Sequence, residues 1–111
     1  MFFIYSYVAP LLATFLKIPP LRLTAILTNK CNLSCANCYE KDQLNKPIKG
    51  ELTLGEWTKI IQSLSRFTIL DLVGGEIFLF KNIRQILSLC AKKNIFVSLT
   101  TNATLLNKDN I

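Results

Sequence analysis

Residues 21–38 read LRLTAILTNKCNLSCANC, an apolar run that passes directly into three cysteines, Cys31, Cys35 and Cys38, spaced Cys-x-x-x-Cys-x-x-Cys. In the apolar half, Leu23, Ala25 and Leu27 share one face and Ile26 lies on the other, the pattern of a strand buried on both sides. The second half gathers three of the chain's four cysteines into eight residues and leaves Cys90 far downstream. Three thiols leave an odd one for disulfide pairing, and a reducing cytosol disfavours disulfides. Thiolates bind soft metals, so zinc and iron-sulfur clusters are the candidate occupants.

A structural zinc site closes with four ligands, and here the fourth would have to be Cys90 or a carboxylate. Cys90 falls on the apolar stripe of a predicted helix, where a cysteine acts as a small buried hydrophobe. Three ligands without a fourth fit a cubane cluster with one iron left open.

Downstream, residues 42–51 turn polar around Pro47 and Gly50 and read as an exposed connection. Thr53 and Glu56 form a capping box, and Leu54, Trp57, Ile60, Ile61, Leu64 and Phe67 recur on one helical face. Ile69 to Val73, ILDLV, is a second strand, ending in Gly74-Gly75-Glu76. Asn82 to Lys93 is a second helix with Ile83, Ile86, Leu87 and Cys90 along its stripe. Ile95 to Asn102, IFVSLTTN, is a third strand rich in β-branched and aromatic residues. The predicted class is α/β, with parallel strands joined by right-handed helical crossovers. In such a sheet the C-terminal ends of the strands share one edge. The cysteine triplet, Gly74-Gly75-Glu76 and Thr100-Thr101-Asn102 therefore converge on a single rim.

Composition sets limits. The chain has 111 residues, half of them apolar, which suits one small folded domain. Its formal charge is +6, but the basic residues are scattered as on an ordinary solvated surface, so nucleic acid is not an expected partner. There is no histidine, which excludes His-centred catalytic dyads and Cys/His zinc fingers. Residues 1–16 carry no charge, but Ser6, Pro10 and Thr14 interrupt them and no basic residue precedes them. A spanning helix needs about 20 predominantly apolar residues, and a signal peptide needs a positive start. Residues 1–20 are read as an apolar lead segment packing on a domain formed by 21–111, with a superficial membrane anchor as the second reading. The expected compartment is the cytoplasm.

Cys-x-x-x-Cys-x-x-Cys after a first strand, followed by Gly-Gly-Glu after a second, resembles the radical S-adenosylmethionine (radical SAM) superfamily. The run LTNKCNLSCANCYE is especially similar to members that modify peptides and proteins, including those with C-terminal cluster domains. The resemblance implies the N-terminal half of a partial (βα)6 TIM-like barrel. It implies that Cys31, Cys35 and Cys38 ligate three irons of a 4Fe-4S cluster and that S-adenosyl-L-methionine chelates the fourth. Gly74, Gly75 and Glu76 match the motif that holds the methionyl ammonium, where glycines permit close approach and a carboxylate pairs with a cation. The residue before the third cysteine, commonly aromatic in the superfamily, is Asn37 here, so Tyr39 or the backbone would seat the adenine. Ile77 replaces a frequent proline after Gly-Gly-Glu. Thr101 and Asn102 resemble the superfamily's Thr-Asn-Gly strand end, with Ala103 in place of the glycine, and are further cofactor-binding candidates.

The implied chemistry is one-electron reductive cleavage of S-adenosyl-L-methionine to a 5′-deoxyadenosyl radical, which abstracts hydrogen from a peptide or other small substrate. The implied partner is an electron donor of the flavodoxin or ferredoxin type. With three strand-helix units of six, the chain is expected to hold the cluster site but to turn over little unaided. The alternative is a non-catalytic zinc or iron-sulfur binding module. A weaker third reading is an RNA-modifying member.

Overall fold

The computed structural model describes residues 19–47 and 50–108. The lead-segment expectation for residues 1–20 falls almost wholly outside the described residues. Among the described residues five regular elements follow in order: β1 (Arg22–Ile26), α1 (Leu54–Ser63), β2 (Ile69–Val73), α2 (Ile83–Lys92) and β3 (Phe96–Leu99), with one 3-10 turn at Ile77–Leu79 before α2. The strands form one parallel sheet in the order β1-β2-β3. Arg22 pairs with Ile69 and Ile26 with Val73 on one side of β2, and Ile69 pairs with Phe96 and Leu72 with Leu99 on the other. This is the strand-helix arrangement expected of the N-terminal half of a partial (βα)6 barrel.

The helices start where local chemistry dictates. Thr53 Oγ1 accepts from the Glu56 N–H at 3.3 Å, and Glu56 returns the bond by accepting from the Thr53 N–H at 2.8 Å. These bonds hold the Glu56 carboxyl below its ordinary range, the Thr53 backbone contributing most. The helix ends at Ser63, earlier than its apolar stripe, so Phe67 lies beyond it and is exposed. At the far end, Lys93 Nζ donates to the carbonyls of Ile61 and Gln62 in the last turn of α1. A cation there satisfies orphan carbonyls and opposes the negative end of the helix dipole.

Trp57, Ile61 and Leu64 from the α1 region and Ile83, Ile86 and Cys90 from α2 form one core with Ala25, Leu70 and Leu72 of the sheet. Ile61, Leu70, Leu72, Ile86 and Cys90 are essentially sealed from solvent. Each such Leu or Ile contributes on the order of 1.5–3 kcal/mol by its burial. Burial also pushes the Cys90 thiol up from its ordinary value.

One expectation fails here. The first strand is covered on one face only: Ala25 is buried, whereas Ile26 is 63% exposed. The two crossovers are of the same hand, so both helices lie on the same side of the sheet. Among the described residues the opposite face displays Ile26, Ile69 and Phe96 to solvent. Asp71 in the middle of that face is nonetheless buried, paired with Arg22. The Arg22 hydrogen bond holds the Asp71 carboxyl below its ordinary range. Its Oδ1 has no hydrogen-bond partner among the described residues.

Candidate functional site

Pairing between β1 and β2 continues past both strands into the predicted site. Leu27 N–H donates to Val73 O at 2.9 Å, Gly75 N–H to Thr28 O at 2.9 Å, and Glu76 N–H to Lys30 O at 2.7 Å. The stem of the cysteine loop is therefore held on the Gly-Gly-Glu backbone. Both glycines are needed for that approach. A Cβ on Gly75 would lie within 3.0 Å of Lys30 O and at 2.7 Å from Lys30 C. A Cβ on Gly74 would collide with Thr28 O, and its φ of +152° disfavours any L side chain. The close neighbour of both glycines is thus the chain's own backbone.

Two asparagines brace this stem. Asn29, largely buried, donates through Nδ2 to Gln43 O at 2.6 Å and Lys46 O at 2.7 Å. Asn45 accepts from the Cys31 N–H at 3.0 Å through Oδ1 and donates to Cys31 O at 3.1 Å through Nδ2. Its φ of +58° is one that asparagine tolerates better than most residues. The 40–47 turn is thereby clamped against the first cysteine. A cavity of about 480 Å³ abuts the clamp, lined by Asn29, Lys30, Asn45, Lys46, Pro47 and Glu51.

All four cysteines are free thiols. Cys31 and Cys38 are half-buried and Cys35 is exposed, so all three face the rim rather than the core. Cys90 stays in the core, as its place on the apolar stripe predicts. Among the described residues no three Cys, Asp or Glu side chains gather closely enough to hold a single metal ion. Tyr39 is 98% exposed, and Asn37 is exposed beside it.

Glu76 is fully buried at the end of β2. Its Oε1 accepts from the Phe78 N–H at 3.0 Å, its Oε2 accepts from the Asn102 N–H at 2.8 Å, and the Thr101 hydroxyl lies 2.8 and 2.9 Å from the two oxygens. A carboxylate offers about four acceptor sites. Three donors from this chain leave little of that capacity for a ligand. The predicted third strand ends early for the same reason, because Thr100 to Asn102 turn away from the ladder towards Glu76 after Thr100 N–H has bonded to Leu72 O at 3.1 Å.

Asn102 then carries the connection across to the cysteines. Its Oδ1 accepts from the Thr104 N–H at 3.0 Å and hydroxyl at 2.7 Å. Its Nδ2 lies 2.9 Å from Asn32 Oδ1 and 3.9 Å from Cys31 Sγ. Asn32 Nδ2 reaches Thr104 Oγ1 at 2.7 Å. The cysteine, Gly-Gly-Glu and Thr-Thr-Asn loops do meet on one edge of the sheet. Sequence reasoning missed Asn29, Asn32, Asn45 and Thr104, which join them. The one available signal was the density of asparagines around the cysteines, with Asn29 and Asn32 flanking the first.

Comparison with known proteins gives these loops a context. The chain is 34% identical over 94 residues to the antilisterial bacteriocin subtilosin biosynthesis protein AlbA of Bacillus subtilis (strain 168), a match covering 83% of this chain and 20% of that protein. It is 36% identical over 83 residues to the sporulation killing factor maturation protein SkfB of the same strain, covering 69% of this chain and 20% of that protein. A probable GTP 3′,8-cyclase of Pyrococcus horikoshii is 37% identical over 90 residues, covering 78% of this chain and 28% of that protein. The chain thus spans between a fifth and just over a quarter of the length of these curated relatives. No solved structure matches it. The family model described as the Radical SAM superfamily matches residues 25–111, from near the end of β1 to the last residue, and the chain belongs to that superfamily.

Proposed function

We propose that residues 21–111 form the cluster-bearing part of a radical SAM enzyme acting on a peptide. The carrying observation is that three free thiols stand on the same sheet edge as the Gly-Gly-Glu and Thr-Thr-Asn loops. The donor set suits the cofactor. Three free, soft, rim-facing thiol ligands match a cluster whose corners take one thiolate each.

In this reading Cys31, Cys35 and Cys38 hold a 4Fe-4S cluster, and S-adenosyl-L-methionine binds across the rim. The chemistry supplied there is one-electron reductive cleavage of the sulfonium and hydrogen abstraction from substrate. The chain's own residues hold and orient. Gly74 and Gly75 admit the cysteine stem to the sheet edge, and the backbone beside them would hold the methionyl group. Glu76, buried and taken up by Phe78, Thr101 and Asn102, fixes the third rim loop. Thr101 and Asn102 lie at the same edge, and Tyr39, fully accessible, is free to fold over an adenine.

Peptide as substrate is supported by the names of relatives, which include PqqA peptide cyclases of Gluconobacter oxydans and other bacteria as well as the Bacillus bacteriocin biosynthesis and killing factor maturation proteins. The partner in this reading is a flavodoxin- or ferredoxin-type electron donor, and the compartment is the reducing cytoplasm, where these thiols stay free. No helix among the described residues is long and apolar enough to cross a membrane.

Anaerobic reconstitution with iron and sulfide tests the proposal. The expected product is a 4Fe-4S cluster whose reduced EPR spectrum changes on adding S-adenosyl-L-methionine, and which is lost when Cys31, Cys35 and Cys38 are changed to alanine. Tight zinc binding with no cluster and no response to S-adenosyl-L-methionine would instead establish the non-catalytic module.

A further inference from the structure

The three rim cysteines are not equivalent. Among the described residues Cys31 Sγ lies 3.4 Å from the Leu33 N–H nitrogen and 3.9 Å from Asn102 Nδ2, and neither Cys35 nor Cys38 has a comparable donor at sulfur. The orientation of the Asn102 amide is fixed by its partners. Thr104 N–H can only donate, so the oxygen of Asn102 must face it and the NH2 group must face the other way. That NH2 group has two hydrogens and two acceptors in reach, Asn32 Oδ1 and Cys31 Sγ.

The backbone of Asn102 is fixed just as firmly, because its N–H is held by the buried Glu76 carboxylate. A continuous chain of contacts thus runs from Glu76 at the end of β2, through Asn102 beyond β3, to the sulfur of the first cysteine.

We propose that Asn102 is a positioning residue that donates an N–H···S hydrogen bond to the Cys31 thiolate and so raises the reduction potential of the cluster that this thiolate ligates. The proposal rests on the cluster reading above. The physical reason is charge. Reduction adds one electron, part of its density resides on the sulfurs, and a donor aimed at a sulfur stabilises the reduced state more than the oxidised one. Glu76 acts one step further back, by holding the donor in place. This also explains why a carboxylate in the signature motif is spent on the chain itself.

The test uses the 111-residue chain, reconstituted anaerobically and titrated with dithionite under EPR. Asn102→Ala and Asn102→Ser should move the midpoint to more negative potential. Asn102→Asp should move it further, because an acceptor and a negative charge replace the donor. In the unsubstituted chain labelled with 15N at asparagine side-chain amides, the reduced cluster should show a 15N hyperfine coupling that Asn102→Ala abolishes. If the cluster forms but the variants keep the parent midpoint and the coupling is absent, the Asn102 role is overturned while the cluster reading stands. If the unsubstituted chain takes up no cluster, both fall. Should every Asn102 variant lose the cluster, the labelled parent decides: a coupling upholds the role and its absence refutes it.

Discussion

Replacing Gly75 by alanine tests whether the cysteine stem is truly docked on the sheet. The new Cβ would lie inside 3.0 Å of Lys30 O, 2.7 Å from Lys30 C and 3.0 Å from Asn29 O, all of them backbone atoms that cannot swing aside as a side chain can. The 28–30 segment must retreat. Retreat stretches Gly75 N–H to Thr28 O, now 2.9 Å, and Glu76 N–H to Lys30 O, now 2.7 Å. Each such bond contributes about 1 kcal/mol, and overpacking adds about 1–3 kcal/mol, so Gly75→Ala should cost roughly 3–5 kcal/mol. With a urea slope of about 1–2 kcal/mol/M, the midpoint should fall by about 2–3 M. The single tryptophan, Trp57, is buried in the core, so its fluorescence reports the transition. Gly50→Ala is the control, since a Cβ there meets nothing within 4 Å and carries only the backbone cost of φ +102°. A Gly75→Ala midpoint indistinguishable from the parent would show that the stem does not rest on β2, and the rim described above would lose its foundation.

Other substitutions separate the remaining claims. Ala103 adopts φ +62°, a conformation that costs a non-glycine residue about 1–2 kcal/mol, so Ala103→Gly should stabilise the chain by roughly 1 kcal/mol in the same urea assay. Cys90→Ala should leave iron uptake unchanged while lowering stability by about 1 kcal/mol, because its sulfur fills core volume; loss of metal binding would instead make it a ligand. Asp71 is held below its ordinary value by Arg22, so its contribution is present above the unfolded pKa of about 3.9 and fades as pH falls through the lower folded value. Fluorescence-monitored acid unfolding should accordingly lose part of its slope below about pH 4 in Asp71→Asn, provided the variant keeps the Arg22 contact through its remaining oxygen.

The sequence made some elements readable and hid others for identifiable reasons. The second strand was expected at Ile69–Val73 and is found there, because apolar β-formers are bounded by a polar turn and two glycines. The Thr53–Glu56 box placed the start of α1, since both partners lie three residues apart and need no tertiary information. Its end was not legible. Phe67 continues the apolar stripe, but Leu64 is already extended and Phe67 lies outside the packed face. Nor could Ile26 reveal which side of the sheet the helices cover, because an apolar residue has the same appearance on either face. The convergence of the three rim loops followed from parallel topology. The asparagine braces did not, because Asn45 to Cys31 and Asn102 to Asn32 are contacts between segments whose separation in sequence carries no periodic signal.

The ladder that continues from β1 into Thr28 and Lys30 has a thermodynamic consequence. The stem carrying Cys31 shares its hydrogen bonds with the most deeply sealed strand of the molecule, so it belongs to the same cooperative unfolding unit as Leu70 and Leu72. Amide hydrogens of Gly75 and Glu76 exchange with solvent only when that unit opens. Any group that grips the thiols in their folded arrangement therefore tightens the whole sheet by mass action, and occupancy of the rim and survival of the fold become one equilibrium.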